Sequence, residues 1–261
     1  MLIDILTIFP NLLASPLEEG MIRKARQDGS VTIHPVNIRD FATDKHQMTD
    51  DRPFGGGEGM VMKAEPLALA VESARRADSL VVLLSPQGTM FDQAAARDLA
   101  RRDHLILVCG RYEGVDERFR ESFIDCEYSI GDYILSGGEL AAMVICDAVI
   151  RLLPGVLGCV DSSLNETFSR PLLKHPQYTR PALWRGVATP QALMSGDHAK
   201  IADYRFIQAI RRTAERRPEL LQRLEFSQRE KKILREHGLA ALLSDERDAL
   251  CAKEKICWPL P

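Results

Sequence analysis

No apolar run in this sequence approaches the ~20 residues that a helix needs to cross a bilayer, which excludes a membrane-spanning helix. The start, MLIDILTIFPNLL, is apolar but has no basic leader, carries Asp4 and lacks a small-residue cleavage site, so it reads as a first strand and not as a signal peptide. None of the six cysteines (Cys109, Cys126, Cys146, Cys159, Cys251 and Cys257) forms a C-x-x-C, and no His/Cys cluster has zinc-ligand spacing. Buried, reduced thiols in a cytoplasmic protein and no protein metal site are the expectation. Neither G-x-G-x-x-G nor G-x-x-x-x-G-K-[ST] occurs, which removes the main warrant for a dinucleotide or P-loop site. Internal repeats and low-complexity tracts are also missing. Net charge is only −3, so the molecule as a whole is no polycation. The charge is unevenly placed, however: between Lys200 and Glu236 eleven Lys and Arg face six Asp and Glu, which points weakly to a nucleic-acid partner.

What is present alternates. Up to residue 153, short β-rich runs (LIDILTIF, VTIHPVNI, SLVVLLS, HLILVCG, EYSIGDYIL) take turns with helical stretches at Leu17–Gln27, Asp92–Arg101 and Glu139–Leu153. The runs SLVVLLS and HLILVCG are continuously apolar, as strands buried on both faces are. Asp92 is placed to cap its helix. This pattern predicts an α/β domain on a mostly parallel sheet over residues 1–153. Residues 154–181 mix Pro, Gly and small polar residues and read as an interdomain linker. Residues 182–261 are helical and predict a small all-α domain, in which Ile201, Tyr204, Ile207 and Ile210 recur at helical spacing and face a core.

Three loops follow predicted strands: LLSPQGTMFD, VCGRYEGVDER and IGDYILSGGEL. Ligands of parallel sheets gather beyond the carboxyl ends of the strands. Glycines there let backbone amides and carbonyls reach a ligand that is flat and polar at its edge, such as an adenine. Any one of these loops alone is an ordinary turn; three at strand ends make a binding crevice.

The ordered set SPQG, LVCGRYEGVDER, SIGDYILSGGE, PGVLG and YTRP, with DDRPFGGGEGMVMK upstream and LMSGDHAKIADYR downstream, closely resembles the bacterial tRNA (guanine-N1)-methyltransferase family over nearly the whole chain. The resemblance implies a SPOUT-type α/β domain with a C-terminal deep trefoil knot, a linker, a small helical tRNA-binding domain and an obligate homodimer. In such a dimer one subunit's linker and helical domain complete the other's site. It also implies S-adenosyl-L-methionine as methyl donor and the guanosine immediately 3′ of the anticodon as target. Carried over by motif, the donor contacts are Ser85 and Pro86, then Gly110, Tyr112 and Glu113. The adenine sits against the loop of Ile130, Gly131, Asp132, Tyr133, Ile134 and Leu135, with Gly137 and Gly138 giving close approach. Arg52 and Glu58, in the glycine-rich loop, are the implied substrate contacts.

Methylation at guanine N1 requires loss of the N1 proton, and the resulting charge spreads onto O6. A base near N1 and a cation near O6 are therefore needed. The family's O6 cation maps onto Arg151, which also lies four residues after Asp147 and so has a helix ion pair open to it. The family's base is an Asp followed by Ser-Phe; here LNETF places Glu166 at that position, with Asp161 the nearest other carboxylate. A second departure puts Lys174 and Gln177 where family members often carry an acid and a His. The role of Mg²⁺ is left open by the sequence. Two other readings share the loop motifs: a related knotted methyltransferase acting on another RNA position, and a non-enzymatic RNA-binding protein with a retained nucleotide pocket.

Overall fold

Strand β1 (Leu2–Thr7) and strand β6 (His104–Cys109) are buried at every residue, which only strands covered on both faces can be. A computed structural model describes residues 1–158 and 167–243. The chain divides into two compact units, Met1–Val160 and Asp161–Pro261.

In the first unit β1, β2 (Thr32–Asn37), β5 (Leu80–Met90), β6 and β7 (Cys126–Ser129) form a five-stranded, wholly parallel sheet in the order β2-β1-β6-β5-β7. The remaining strands of the unit, β3 (Asp50–Asp51) and β4 (Val61–Met62), pair as a separate antiparallel hairpin. Side chains alternate between two cores, as the two-residue period of a strand requires. Ile3, Ile5, Val82, Leu84, Leu105 and Leu107 face one side, while Leu6, Val81, Leu83, Ile106 and Val108 face the other. The first core is closed by helices α1 (Ala14–Leu17), α2 (Gly20–Gln27), α4 (Gln93–Leu99) and α6 (Glu139–Ile150), and the second by α3 (Ala64–Ala74) and α5 (Glu117–Phe123). Each fully buried Leu or Ile contributes roughly 1.5–3 kcal/mol relative to exposure.

Local signals behave as expected at several ends. Asp92 caps α4 by accepting from the amides of Ala94 and Ala95 at 2.9 Å. The long apolar α6 buries Ala141, Ala142, Ile145, Cys146, Val149 and Ile150 against the sheet and leaves Leu140 and Val144 exposed. One expectation changes: SPQG does not end its strand. Residues 85–88 loop out of β5, which then resumes pairing with β7 through Thr89 and Met90.

In the second unit α8 (His198–Arg216), α9 (Pro218–Leu221) and α10 (Gln228–Glu236) follow the short α7 (Gln191–Met194). Ile207, Ile210, Leu221, Leu224, Ile233 and Leu234 make the core, and Leu172 packs against it. Of the four residues expected to face this core, Ile207 and Ile210 are buried, whereas Ile201 and Tyr204 are only half-buried because the core lies along the later turns of α8. The unit is not purely helical either: Leu183–Trp184 (β8) and Val187–Ala188 (β9) form a two-residue hairpin.

Candidate functional site

The carboxyl ends of β5, β6 and β7 lie side by side, so the sheet order itself brings the three loops together. A polar bond at their centre fixes two of them. Arg111, just after β6, grips Glu139, the first residue of α6, through Nη2 to Oε2 at 2.9 Å and Nε to Oε1 at 3.0 Å. Glu139 is only 2% exposed. Thr7 at the end of β1 donates to Glu139 Oε1 at 2.6 Å, and the Thr7 hydroxyl in turn accepts from the Phe9 amide. The Arg111 guanidinium lies 4.3 Å from the centre of the Phe9 ring, a cation–π contact. A carboxylate at a helix N-terminus is also favoured by the helix dipole. The arrangement ties β1, the loop after β6 and the start of α6 into one rigid corner. Sequence reasoning missed this triad because its members stand 28 and 132 residues apart; a buried acid opening an apolar helix is the only hint the sequence holds.

Backbone contacts complete the corner. Gly138 N–H donates to Gly110 C=O at 2.9 Å, and Arg111 bridges to Gly137. Both glycines are dictated by neighbouring protein. A Cβ on Gly138 would stand 2.8 Å from the Cys109 Cα, and one on Gly137 would stand 2.5 Å from Arg111 Nε. The loop after β7 closes on itself, with Tyr133 N–H donating to Gly131 C=O at 2.9 Å and the Ser129 hydroxyl donating to the same carbonyl at 3.2 Å. Ile130, Gly131 and Leu135 are half-buried, while Asp132, Tyr133 and Ile134 face solvent. Ser85, half-buried, accepts from Gln87 N–H at 3.1 Å, and Pro86 is exposed. Tyr112 adopts a left-handed backbone, φ 61°, which turns the chain so that Tyr112 and Glu113 are both exposed.

The β3–β4 hairpin joins this cluster. Met60 C=O accepts from Glu113 N–H, Met62 N–H donates to Gly114 C=O, and Met62 C=O accepts from Asp116 N–H, each at 2.9 Å. The glycine-rich loop that carries Arg52 and Glu58 is thereby tethered to the loop after β6; Arg52 and Glu58 are both exposed. Arg151 is different. It follows the last residue of α6, twelve helical residues from the start, or about 18 Å of helix rise. Within one chain the structure does not bring Arg151 to the three loops. Its amide donates to Asp147 C=O, continuing the helix, and its side chain is half-buried. Glu166 and Asp161 lie outside the described residues, as do Cys159, Cys251 and Cys257.

Burial, reinforced by the charge of Glu139, pushes the Cys109 thiol well up, and burial pushes Cys146 up to about 12; neither is a nucleophile. Cys126, half-buried, is raised for the same reason. Among the described residues no group of three or more His, Cys, Asp and Glu is placed to hold a metal ion, and no helix is long and apolar enough to cross a membrane.

The second unit carries a separate cleft of about 640 Å³, lined by His175, Gln177, Tyr178, Arg180, Met194 and Arg205 among others. Partial burial, then the positive charges of Arg205, Lys174 and Arg212, hold His175 below the usual imidazole range. Several cations nearby are spent on ion pairs, such as Arg229 with Asp203 and Arg170 with Glu230, both at 2.7 Å. Among the described residues Arg205, Arg211, Arg212 and Arg216 of α8 form no ion pair.

Comparison with known proteins gives one consistent result. The family model described as tRNA (Guanine-1)-methyltransferase TrmD matches residues 1–223. A protein of Chloroflexus aggregans named tRNA (guanine-N(1)-)-methyltransferase is 55% identical over 223 residues, 84% of this chain and 87% of its own. Relatives of the same name from Carboxydothermus hydrogenoformans and Geobacter sulfurreducens are 50% identical over 248 residues and 52% identical over 233 residues. They cover 94% and 88% of this chain and 98% and 95% of their own lengths.

Proposed function

The chain belongs to the tRNA (Guanine-1)-methyltransferase family, and from that premise we propose how its own residues hold the donor and reach the guanine. It is a tRNA (guanine-N1)-methyltransferase that uses S-adenosyl-L-methionine. The proposed target is the guanosine immediately 3′ of the anticodon. The observation that carries the assignment of the donor site is the corner built by Arg111, Glu139 and Thr7, which holds two of the three loops at the sheet's carboxyl rim.

The residues suit the donor. Half-buried Ile130 and Leu135 offer apolar walls for an adenine, and the neighbouring backbone supplies its polar edge contacts. Exposed Glu113 and Asp132 offer acceptors for ribose hydroxyls and negative charge for a sulfonium, whereas Glu139 is committed to Arg111 and Thr7. When bound, the donor supplies an electrophilic methyl group. In this reading Ser85, Pro86, Gly110, Tyr112 and Glu113 line one side and residues 130–138 the other. Arg52 and Glu58 meet the substrate from the tethered hairpin.

Glu166 removes the N1 proton, and Arg151 faces O6 and holds the charge that develops there. A positioned base is typically worth ~10²–10⁴-fold in rate. Because Arg151 is a helix length away from the loops of its own chain, it serves the loops of a second copy, and a homodimer follows. The exposed apolar face of Leu140 and Val144 on α6 suits such a contact. The unpaired arginines of α8 and the cleft beside His175 track tRNA phosphates, which makes affinity fall with salt. The insertion of β6 between β1 and β5, with residues 137–138 returning to the loop after β6, is the arrangement from which we infer the trefoil knot. The enzyme is placed in the cytoplasm with its substrate.

The test is transfer of labelled methyl from S-adenosylmethionine to a tRNA with G next to the anticodon, beside a version with A there. Label is expected on the first alone. Equal labelling of both, or of neither, overturns the assigned position.

A further inference from the structure

Phe54 is 98% exposed, the most exposed large apolar side chain among the described residues. Single exposed apolar residues are common on protein surfaces, so exposure alone assigns nothing here. Its setting does. Pro53 precedes it, and Gly55, Gly56 and Gly57 follow with φ of 86°, 77° and 126°, conformations that side-chain-bearing residues rarely adopt. The ring is thus carried in a loop whose next three residues have no side chains to shield it.

The base of that loop, by contrast, is fixed. Asp50 and Asp51 pair with Met62 and Val61, Lys63 N–H donates to the buried Thr49's carbonyl at 2.8 Å, and Met62 is fully buried in the core. Three further backbone hydrogen bonds tie the hairpin to residues 113–116, the loop assigned to the donor. An aromatic ring is therefore held out into solvent from a rigid stem beside the site of methyl transfer, with the guanidinium-bearing Arg52 two residues away.

The reaction gives such a ring a use. Guanine N1 lies on the edge of the base, and an enzyme reaches it by drawing the base out of its stack, at a cost of a few kcal/mol in unstacking. Nucleic-acid-binding proteins offset this cost by stacking an apolar or aromatic side chain on a base left without its neighbour. Resting on the function proposed above, we infer that Phe54 is a positioning residue that stacks on an unpaired base flanking the target guanosine and takes the place the extruded guanine leaves. Its ligand is an RNA base, read by its face and not by its edge, so the contact tolerates any of the four.

The test compares wild type with Phe54→Ala and Phe54→Trp on three tRNAs: unmodified, abasic on the 5′ side of the target, and abasic on its 3′ side. Phe54→Ala is expected to lower kcat/KM for unmodified tRNA about 10- to 100-fold, the range spanned by loss of one base–aromatic stack. Phe54→Trp keeps near-normal activity, and affinity for S-adenosylmethionine is the same in all three proteins. On one of the two abasic tRNAs wild type and Phe54→Ala react alike, because the partner base is already gone and the two losses do not add. Equal activity of Phe54→Ala and wild type on unmodified tRNA overturns the inference, as does a loss that persists undiminished on both abasic substrates. A wild-type enzyme that methylates none of the tRNAs would instead remove the proposed function on which the inference rests.

Discussion

The two ends of α6 are built to opposite specifications. At its start Glu139 is buried, bonded to Arg111 and Thr7, and fixed against the loop after β6. At its end Arg151 is half-buried and about 18 Å of helix away from that corner. The same helix thus anchors a loop corner at its start and carries a cation a helix length away at its end. The difference teaches that the start of α6 is locked to its neighbouring loops within one chain, whereas the role proposed for its far end calls for a second copy.

The largest expected effect breaks the anchored end. Glu139→Ala leaves the Arg111 guanidinium without its partner in a largely buried corner, and removing one member of such a pair costs about 3–5 kcal/mol. Urea unfolding is expected to report that loss, with S-adenosylmethionine binding weakened alongside it. A change below about 1 kcal/mol would mean that the Arg111–Glu139 pair holds the corner no more firmly than a solvent-exposed ion pair does. Arg151→Ala sharpens the other end: kcat should fall about 10²–10³-fold, as when a donor to a developing oxyanion is removed. Donor affinity by calorimetry should stay at the wild-type value, because in the proposed function Arg151 faces guanine O6 and not the donor.

Gly138→Ala is a smaller perturbation of the anchored end. Its new methyl would meet the Cys109 Cα at 2.8 Å, and such overpacking costs about 1–3 kcal/mol. Thermal melting is the measurement, and unchanged stability would show that the two segments separate freely. The smallest effect is a near-absence of reaction. With their thiols buried and raised, Cys109 and Cys146 are expected to resist iodoacetamide at pH 8 in the folded protein, while half-buried Cys126 reacts first among these three. Rapid alkylation of Cys146 would place it outside the core.

The strands were legible because burial on both faces turns them into continuous apolar runs; HLILVC needs no partner to be recognised. The Asp92 cap was legible for a local reason too, since its partners are the next amides in the chain. Pairings across the fold were not. Thr7, Arg111 and Glu139 meet because β6 lies beside β1, and no periodicity encodes strand order. The hairpins at Asp50–Met62 and Leu183–Ala188 have two-residue strands, too short to show a period. Ser-Pro-Gln-Gly read as a strand end because proline and glycine usually stop pairing, yet β5 resumes beyond it. The separation of Arg151 from the loop before α6 was legible, since that loop runs straight into Glu139 and twelve helical residues follow.

The division of labour between the ends of α6 is tested most directly by mixing two inactive proteins. One carries Arg151→Ala with its loops intact; the other carries Glu113→Arg, which puts a cation at an exposed position proposed to meet the sulfonium but keeps Arg151. Refolded together at equal amounts, random pairing gives dimers in which one shared site has both native halves, and about a quarter of wild-type activity is expected to return. If each site were built within a single chain, no pairing would restore one, and a mixture as inactive as its components would contradict the account.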